Sequence, residues 1–195
     1  MTSQENRRIT DLGTLKAISH PLRMRLYRAL FVARTATASQ LAEQVDEAVS
    51  LVSYHLRKLA EHGLIEETEA QSADGRERWW QPSSYGFTIR EEDIRDAPEL
   101  VAASDALGRT LNEQRAALHQ RFLDERLTWS EAWRAAAVSS EWLPRFTAAE
   151  LAALGKELDA VLRKHDQKAR AAEAAGDTEG RENVAVHLHA FPYRG

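Results

Sequence analysis

Residues 52–65 constrain the fold of this chain more than any other stretch of its sequence. Three apolar residues recur at the spacing of one helical face: Val52, Leu56 and Leu59. Gly63 then supplies the left-handed backbone with which helices commonly end, and Ile65 lies in an apolar pair that begins an extended segment. The stretch therefore predicts a helix that turns directly into a strand.

A second, shorter helix is predicted immediately before this one. Thr37 and Gln40 have the spacing of a capping box, in which a hydroxyl and an amide satisfy the backbone groups at the start of a helix. We expect residues 46–50 to hold the turn and the start of the next helix. Ala48 stands there at a position where Ser or Asp would be the usual cap. Two helices joined in this way predict a helix-turn-helix.

A β-hairpin is predicted after the long helix. Residues 65–70 and 76–81 are strand-like runs, and the Asp-Gly dipeptide at 74–75 is typical of a tight hairpin turn. Trp79 and Trp80 are adjacent, so a strand must direct one ring inward and the other outward. We expect another part of the protein to cover the outward ring.

Upstream of these elements, residues 15–30 predict a further helix. Pro21 suits its first turn, and a leucine stripe follows: Leu22, Leu26 and Leu30. The segments SHPLRMRLYRAL, TASQLAEQV, VSYHLRKLAEHGLI and DGRERWW stand in the order found in ArsR-like winged helix-turn-helix regulators. The chain resembles that family over about residues 10–90.

The resemblance implies a homodimer that places one recognition helix per subunit in successive major grooves of a double-stranded DNA operator. The positions that match DNA-facing positions of the family are Ser50, Ser53, Tyr54 and Arg57. Hydroxyl groups can bind either type of base, and a guanidinium can bind guanine or phosphate. The alternative for Ser53 and Tyr54 is that they lie on an ordinary solvent-exposed helix face. His55 lies against the apolar stripe, so packing and a phosphate contact both stay open. Three cations complete the candidate interface: Lys58, Arg76 and Arg78.

The charge of the chain is divided unevenly between its two halves. Residues 1–90 carry 12 Lys and Arg against 11 Asp and Glu, whereas residues 91–195 carry 14 against 19, so the net charge of −4 belongs to the second half. A nearly neutral first half is compatible with DNA binding if its cations converge on one surface.

The absence of cysteine excludes disulfides, and we expect a cytoplasmic protein because the sequence has neither a membrane-spanning run nor a signal-peptide core.

The second half predicts long helices. One opens at Pro98 and carries a leucine stripe toward residue 127, and another begins at the capping box of Thr147 and Glu150. Residues 183–192 alternate like a strand. The expected fold is mainly α with a small β component: a winged helix-turn-helix domain at 1–90, then a region at 91–195 with long dimerisation helices and a C-terminal strand.

An aromatic group lies between the two long helices. Its members are Phe122, Trp129, Trp133, Trp142 and Phe146. A pocket for a small-molecule effector is one interpretation, because such a ligand could change the spacing of the recognition helices. A core that fills the corner between helices is the simpler one.

Metal sensing and catalysis are the rival functions. Thiolate sensing is excluded because the chain has no cysteine, and His187 with His189 is too small a ligand set for a metal site in one subunit. The sequence has no Gly-rich phosphate loop, nucleophile elbow or metalloprotease helix motif, so we expect neither an enzyme nor a cofactor. The favoured function is a sequence-specific, homodimeric transcriptional repressor. The alternatives are a ligand- or zinc-responsive sensor of the same fold and a winged helix that binds protein.

Overall fold

The computed structural model describes residues 6–69 and 77–194. The helices are α1 (Leu12–Ser19), α2 (Pro21–Ala33), α3 (Ala38–Val45), α4 (Val49–Glu61), α5 (Glu91–Ile94), α6 (Pro98–Asp124), α7 (Glu131–Ala136) and α8 (Ala148–Ala174), with a 3-10 turn at Arg126–Thr128. The strands are β1 (Arg7–Arg8), β2 (Ala36–Thr37), β3 (Ile65–Thr68), β4 (Trp79–Pro82) and β5 (Phe87–Thr88). The chain divides into two compact units, with the boundary between Ala117 and Leu118.

The helix-turn-helix is formed by α3 and α4, as the sequence predicts. The capping box is present: the Gln40 N–H donates to Thr37 Oγ1 at 3.3 Å, and the Thr37 N–H donates to Gln40 Oε1 at 2.9 Å. Asp46 ends α3 in the left-handed region, with φ 53°. Ala48 precedes α4 and offers no side-chain cap, so this helix begins on backbone hydrogen bonds alone.

The long helix α4 ends as its glycine predicts. Gly63 has φ +62°, its N–H donates to the Ala60 carbonyl at 2.8 Å, and the Leu64 N–H donates to the Leu59 carbonyl at 3.0 Å. β3 begins at the second residue after the glycine. This turn fixes the direction in which the wing leaves α4.

The wing is a three-stranded sheet of order β2-β4-β3, antiparallel throughout. Trp80 pairs with Ala36 on one side and Glu67 on the other and is buried, whereas Trp79 is partly covered. The predicted alternation of the two rings is therefore confirmed. The predicted Asp74-Gly75 turn and Arg76 lie outside the described residues.

The core of the first unit is built from the predicted stripes. Fully or nearly fully buried members include Leu22, Leu26, Leu30, Val52, Leu56 and Leu59. α6 contributes the buried Leu107, with Leu100 and Leu111 packed at the edge of the cluster. The first part of α6 thus packs with the winged helix-turn-helix.

The second unit is helical but has little interior. α8 begins at the predicted capping box, where the Thr147 N–H donates to Glu150 Oε2 at 2.7 Å and the Glu150 N–H donates to Thr147 Oγ1 at 3.2 Å. From residue 118 to 194, no side chain is buried. Within the described helices, none is both long and apolar enough to cross a bilayer.

The prediction of a C-terminal strand at 183–192 is wrong for this structure. These residues form no strand, and three alternating apolar side chains are more than half exposed: Val184 at 66%, Val186 at 54% and Leu188 at 53%. Alternation alone cannot make a strand, because its backbone N–H and C=O groups need a partner strand, and no strand of the described chain pairs with this segment.

Candidate nucleic-acid interface

The two faces of α4 differ sharply. Its apolar stripe is buried in the core, while Ser50 and Arg57 are exposed, Tyr54 is 48% exposed and Ser53 is half-buried. The spacing of these polar positions places them along one side of the helix. The structure therefore brings together the four DNA-facing positions that the family resemblance implied.

Two apolar side chains extend this exposed surface near the start of α4. Val49 is 47% and Leu51 is 40% exposed. The sequence analysis did not name them. Helical spacing could have identified both, because neither position lies on the buried stripe of α4. Side chains of this kind can contact a thymine methyl group in the major groove.

The cations of α4 differ in how they are held. Arg57 donates from Nε to the Ser53 carbonyl at 3.2 Å, which leaves the rest of its guanidinium available. Lys58 Nζ lies 2.7 Å from Glu61 Oε2 and 5.9 Å from the centroid of the Tyr54 ring. The hydrogen bond with Glu61 raises the pKa of Lys58.

His55 is a packing residue in this structure. It is 6% exposed, and its ring centroid lies 4.6 Å from that of His20, the residue just before α2. The Nδ1 atoms of both rings are buried and have no hydrogen-bond partner within the described residues. Burial lowers the pKa of both histidines, and the positive charge of Arg23 acts in the same direction. We assign His55 to the core rather than to a phosphate contact.

Acidification is expected to destabilise the protein through this histidine pair. Because both pKa values lie below the ordinary 6.5, the unfolded chain takes up these protons first as the pH falls. Stability is therefore fully present above pH 6.5 and decreases below it. Thermal unfolding from pH 7.5 to 5.5 should show this loss, and His20→Asn should reduce it. His119→Gln is the control, since His119 lies on α6 beside Phe122. Equal pH dependence of wild type and His20→Asn would contradict the assignment.

The wing presents an arginine beside α4. Arg78 Nη1 lies 2.8 Å from Glu67 Oε1 on the neighbouring strand. Arg57 of α4 and Arg78, the residue just before β4, line the same open groove, which has a volume of about 640 Å³ between the end of α4 and the wing. Of the two wing cations predicted from the sequence, the structure thus joins Arg78 to the surface of α4.

The aromatic residues of the second unit are brought together only in part. The rings of Trp129 and Trp133 meet edge to face, with centroids 6.4 Å apart, and both are half-buried, as is Phe122. Trp142 is 84% and Phe146 is 49% exposed. An effector pocket at these residues stays a prediction.

In residues 6–69 and 77–194, no group of three His, Asp or Glu side chains is arranged to hold a metal ion.

Comparisons with known proteins agree with the geometry of the first unit. Residues 18–68 match the family model of a helix-turn-helix domain. This match spans α2, α3, α4 and β3, the elements that position the exposed face of α4. The N-terminal unit therefore belongs to the winged helix-turn-helix class that is found in DNA-binding transcriptional regulators.

Similar solved structures carry names of the same class. A transcriptional regulator homologue from Pyrococcus horikoshii is 27% identical, covering 47% of this chain and 88% of its own, with a TM-score of 0.32. A possible transcriptional regulator for arsenical resistance is 26% identical over 53% of this chain and 97% of its own (TM-score 0.33). An ArsR-like regulator from Rhodococcus is 20% identical, covering 61% of this chain and 92% of its own, with a TM-score of 0.31. No curated protein matches the chain significantly. The family match confirms the predicted helix-turn-helix over residues 18–68, and the names of these solved structures describe transcriptional regulators.

Proposed function

We propose that this protein is a sequence-specific DNA-binding transcriptional repressor that acts as a homodimer. In this proposal the exposed face of α4 enters the major groove, where Ser50, Ser53 and Tyr54 contact bases or phosphates. The dimer represses by covering promoter DNA.

The observation that carries the proposal is the convergence of two cations from different elements. Arg57 of the recognition helix and Arg78 of the wing line one groove, and the exposed face of α4 continues from it. A winged helix that binds DNA needs this arrangement, because the helix reads base edges while the wing contacts the adjacent backbone. Lys58 and Arg76 are proposed as further phosphate contacts, Arg76 on the sequence alone.

Dimerisation is proposed through the long helices of the second half. α6 and α8 have 27 residues each, but few of their side chains are buried. Within the described chain, Leu107 is the one buried residue of α6, and α8 has no buried residue. Exposed apolar side chains occur on both: Leu118, Leu123, Val161 and Leu162. Long helices with so much apolar surface are usually covered by another helix, and a second copy would bring two recognition helices together.

Selection of bound fragments from random double-stranded DNA, followed by sequencing, tests the proposal directly. We expect enrichment of an inverted repeat whose half-site centres lie about one helical turn, or 34–36 Å, apart. A single half-site would contradict dimeric binding. The absence of any enrichment at low salt would contradict DNA binding by the purified protein and favour a protein partner for the winged helix.

Removal of the Glu67 charge is expected to strengthen DNA binding. Glu67 holds Arg78 at 2.8 Å, and a carboxylate beside the groove repels phosphate. The variant Glu67→Gln should tighten DNA binding two- to threefold, or by about 0.5 kcal/mol, because it removes this repulsion. The fold should be retained, because an exposed ion pair contributes little to stability. Fluorescence anisotropy with the selected operator measures the change, and Glu99→Gln on α6 is the matched control. Weaker binding by Glu67→Gln would mean that the ion pair positions Arg78 productively.

A further inference from the structure

The groove between α4 and the wing contains a third arginine, which comes from the start of the chain. Arg7 lines it together with Arg57 and Arg78, although it is fifty residues away from Arg57 in sequence. The short β1 strand holds this segment in place: the Arg7 N–H donates to the Gly86 carbonyl at 2.8 Å and the Ile9 N–H to the Thr88 carbonyl at 2.9 Å. Ile9 is fully buried and anchors the segment to the core.

Arg7 and Arg8 have different surroundings. The guanidinium of Arg8 contacts Asp93 and Glu92, with Nε 3.0 Å from Asp93 Oδ2. That of Arg7 lies against the turn at the end of α4, where a Cβ on Gly63 would stand 2.9 Å from Nη1. The left-handed glycine thus leaves room for Arg7 beside the recognition helix.

Arg7 has no carboxylate partner in the described part of the chain. Among residues 6–69 and 77–194 no ion pair involves it, and its Nε atom is buried without a hydrogen-bond partner there. Each of the three carboxylates that line the groove has a partner other than Arg7, at 2.7–2.8 Å: Glu61 with Lys58, Glu66 with Gln81 and Glu67 with Arg78. Three guanidiniums and three carboxylates line the groove, so its formal charge is balanced. Because no carboxylate contacts Arg7 within the described residues, its guanidinium can still donate hydrogen bonds to an incoming anion.

We propose that Arg7 binds a DNA phosphate beside the end of the recognition helix, as an additional residue of the DNA interface. This inference rests on the proposed function. A guanidinium can give two parallel N–H donors to one phosphate, and its anchored backbone fixes where that phosphate lies. The contact adds affinity on every sequence and does not discriminate between bases.

The test compares Arg7→Gln with Arg8→Gln in the full-length protein, on the selected operator and on unrelated DNA. Binding is measured across a series of salt concentrations. Arg7→Gln should weaken binding several-fold on both DNAs and should reduce the slope of log K against log salt by about one. Arg8→Gln should leave the slope unchanged, and Arg7→Lys should restore it because the charge is restored. Thermal unfolding of each variant verifies that the fold is retained.

The outcomes separate this inference from the proposed function. If the wild type binds DNA and Arg7→Gln has the same salt slope as Arg8→Gln, Arg7 does not contact phosphate, while the proposed function stands. If the wild type binds no DNA at low salt, the proposed function itself fails. If Arg7→Gln alters preference at one base position, the contact is to a base rather than to phosphate, and the inference is overturned.

Discussion

Replacement of Arg57 by alanine is expected to weaken specific DNA binding by about 1–3 kcal/mol, or roughly fivefold to more than a hundredfold. Arg57 is the exposed cation of α4 whose only described hydrogen bond is to the Ser53 carbonyl, so most of its donors are available for a base edge. A guanidinium that reads guanine loses two hydrogen bonds on truncation. Repeating the fragment selection with the variant should show relaxed preference at one position of each half-site.

The control for Arg57→Ala is Lys156→Ala, which removes an exposed cation from α8 in the second unit. This variant should retain the affinity and preference of the wild type. Equal weakening by Arg57→Ala on all sequences would make Arg57 a phosphate contact. Affinity unchanged by Arg57→Ala would contradict the placement of α4 in the major groove.

Replacement of Leu56 by alanine is expected to lower the free energy of unfolding by about 2–5 kcal/mol. Leu56 is fully buried on the inner face of α4, in the cluster that joins this helix to α2 and α3. The change removes buried apolar surface and leaves a cavity that the packed helices can fill only in part. Urea denaturation followed by circular dichroism measures the difference.

Leu51→Ala is the matched control for Leu56→Ala, since it makes the same substitution on the exposed side of the same helix. Leu51 is 40% exposed, so its replacement should change stability by no more than about 0.5 kcal/mol. The same variant should affect DNA binding if the apolar side chain contacts a thymine methyl group. Comparable loss of stability in both variants would contradict the orientation of α4.

The sequence predicted the helix starts and the helix end of α4 well, because the signals for each lie within a few residues of one another. The capping boxes at Thr37 and Thr147 begin α3 and α8, and Gly63 ends the turn after α4. The stripes that include Leu26 and Leu56 are buried as their spacing predicts. Periodicity also separated the buried face of α4 from its exposed face. The four DNA-facing candidates on the exposed face were implied by the resemblance to ArsR-like regulators.

Periodicity was misleading where a partner was required. The alternation at 183–192 predicted a strand, but strands are stabilised by hydrogen bonds to other strands, and the described chain supplies none there. The environment of His55 was likewise undecidable, because the side chain that packs on it, His20, lies before α2 and is remote in sequence.

The sequence by itself therefore determined the helix-turn-helix, the order of its elements and the buried stripe of α4. Only the tertiary structure decided which side chains from distant segments share a surface. It places Arg7 of β1 beside Arg57 and Arg78, and it pairs His20 with His55 in the core. The physical reason is the distance along the chain over which the interactions act. Helix caps and helical stripes depend on residues that are close in sequence, whereas a groove depends on the packing of elements that are far apart in sequence, which no local pattern predicts.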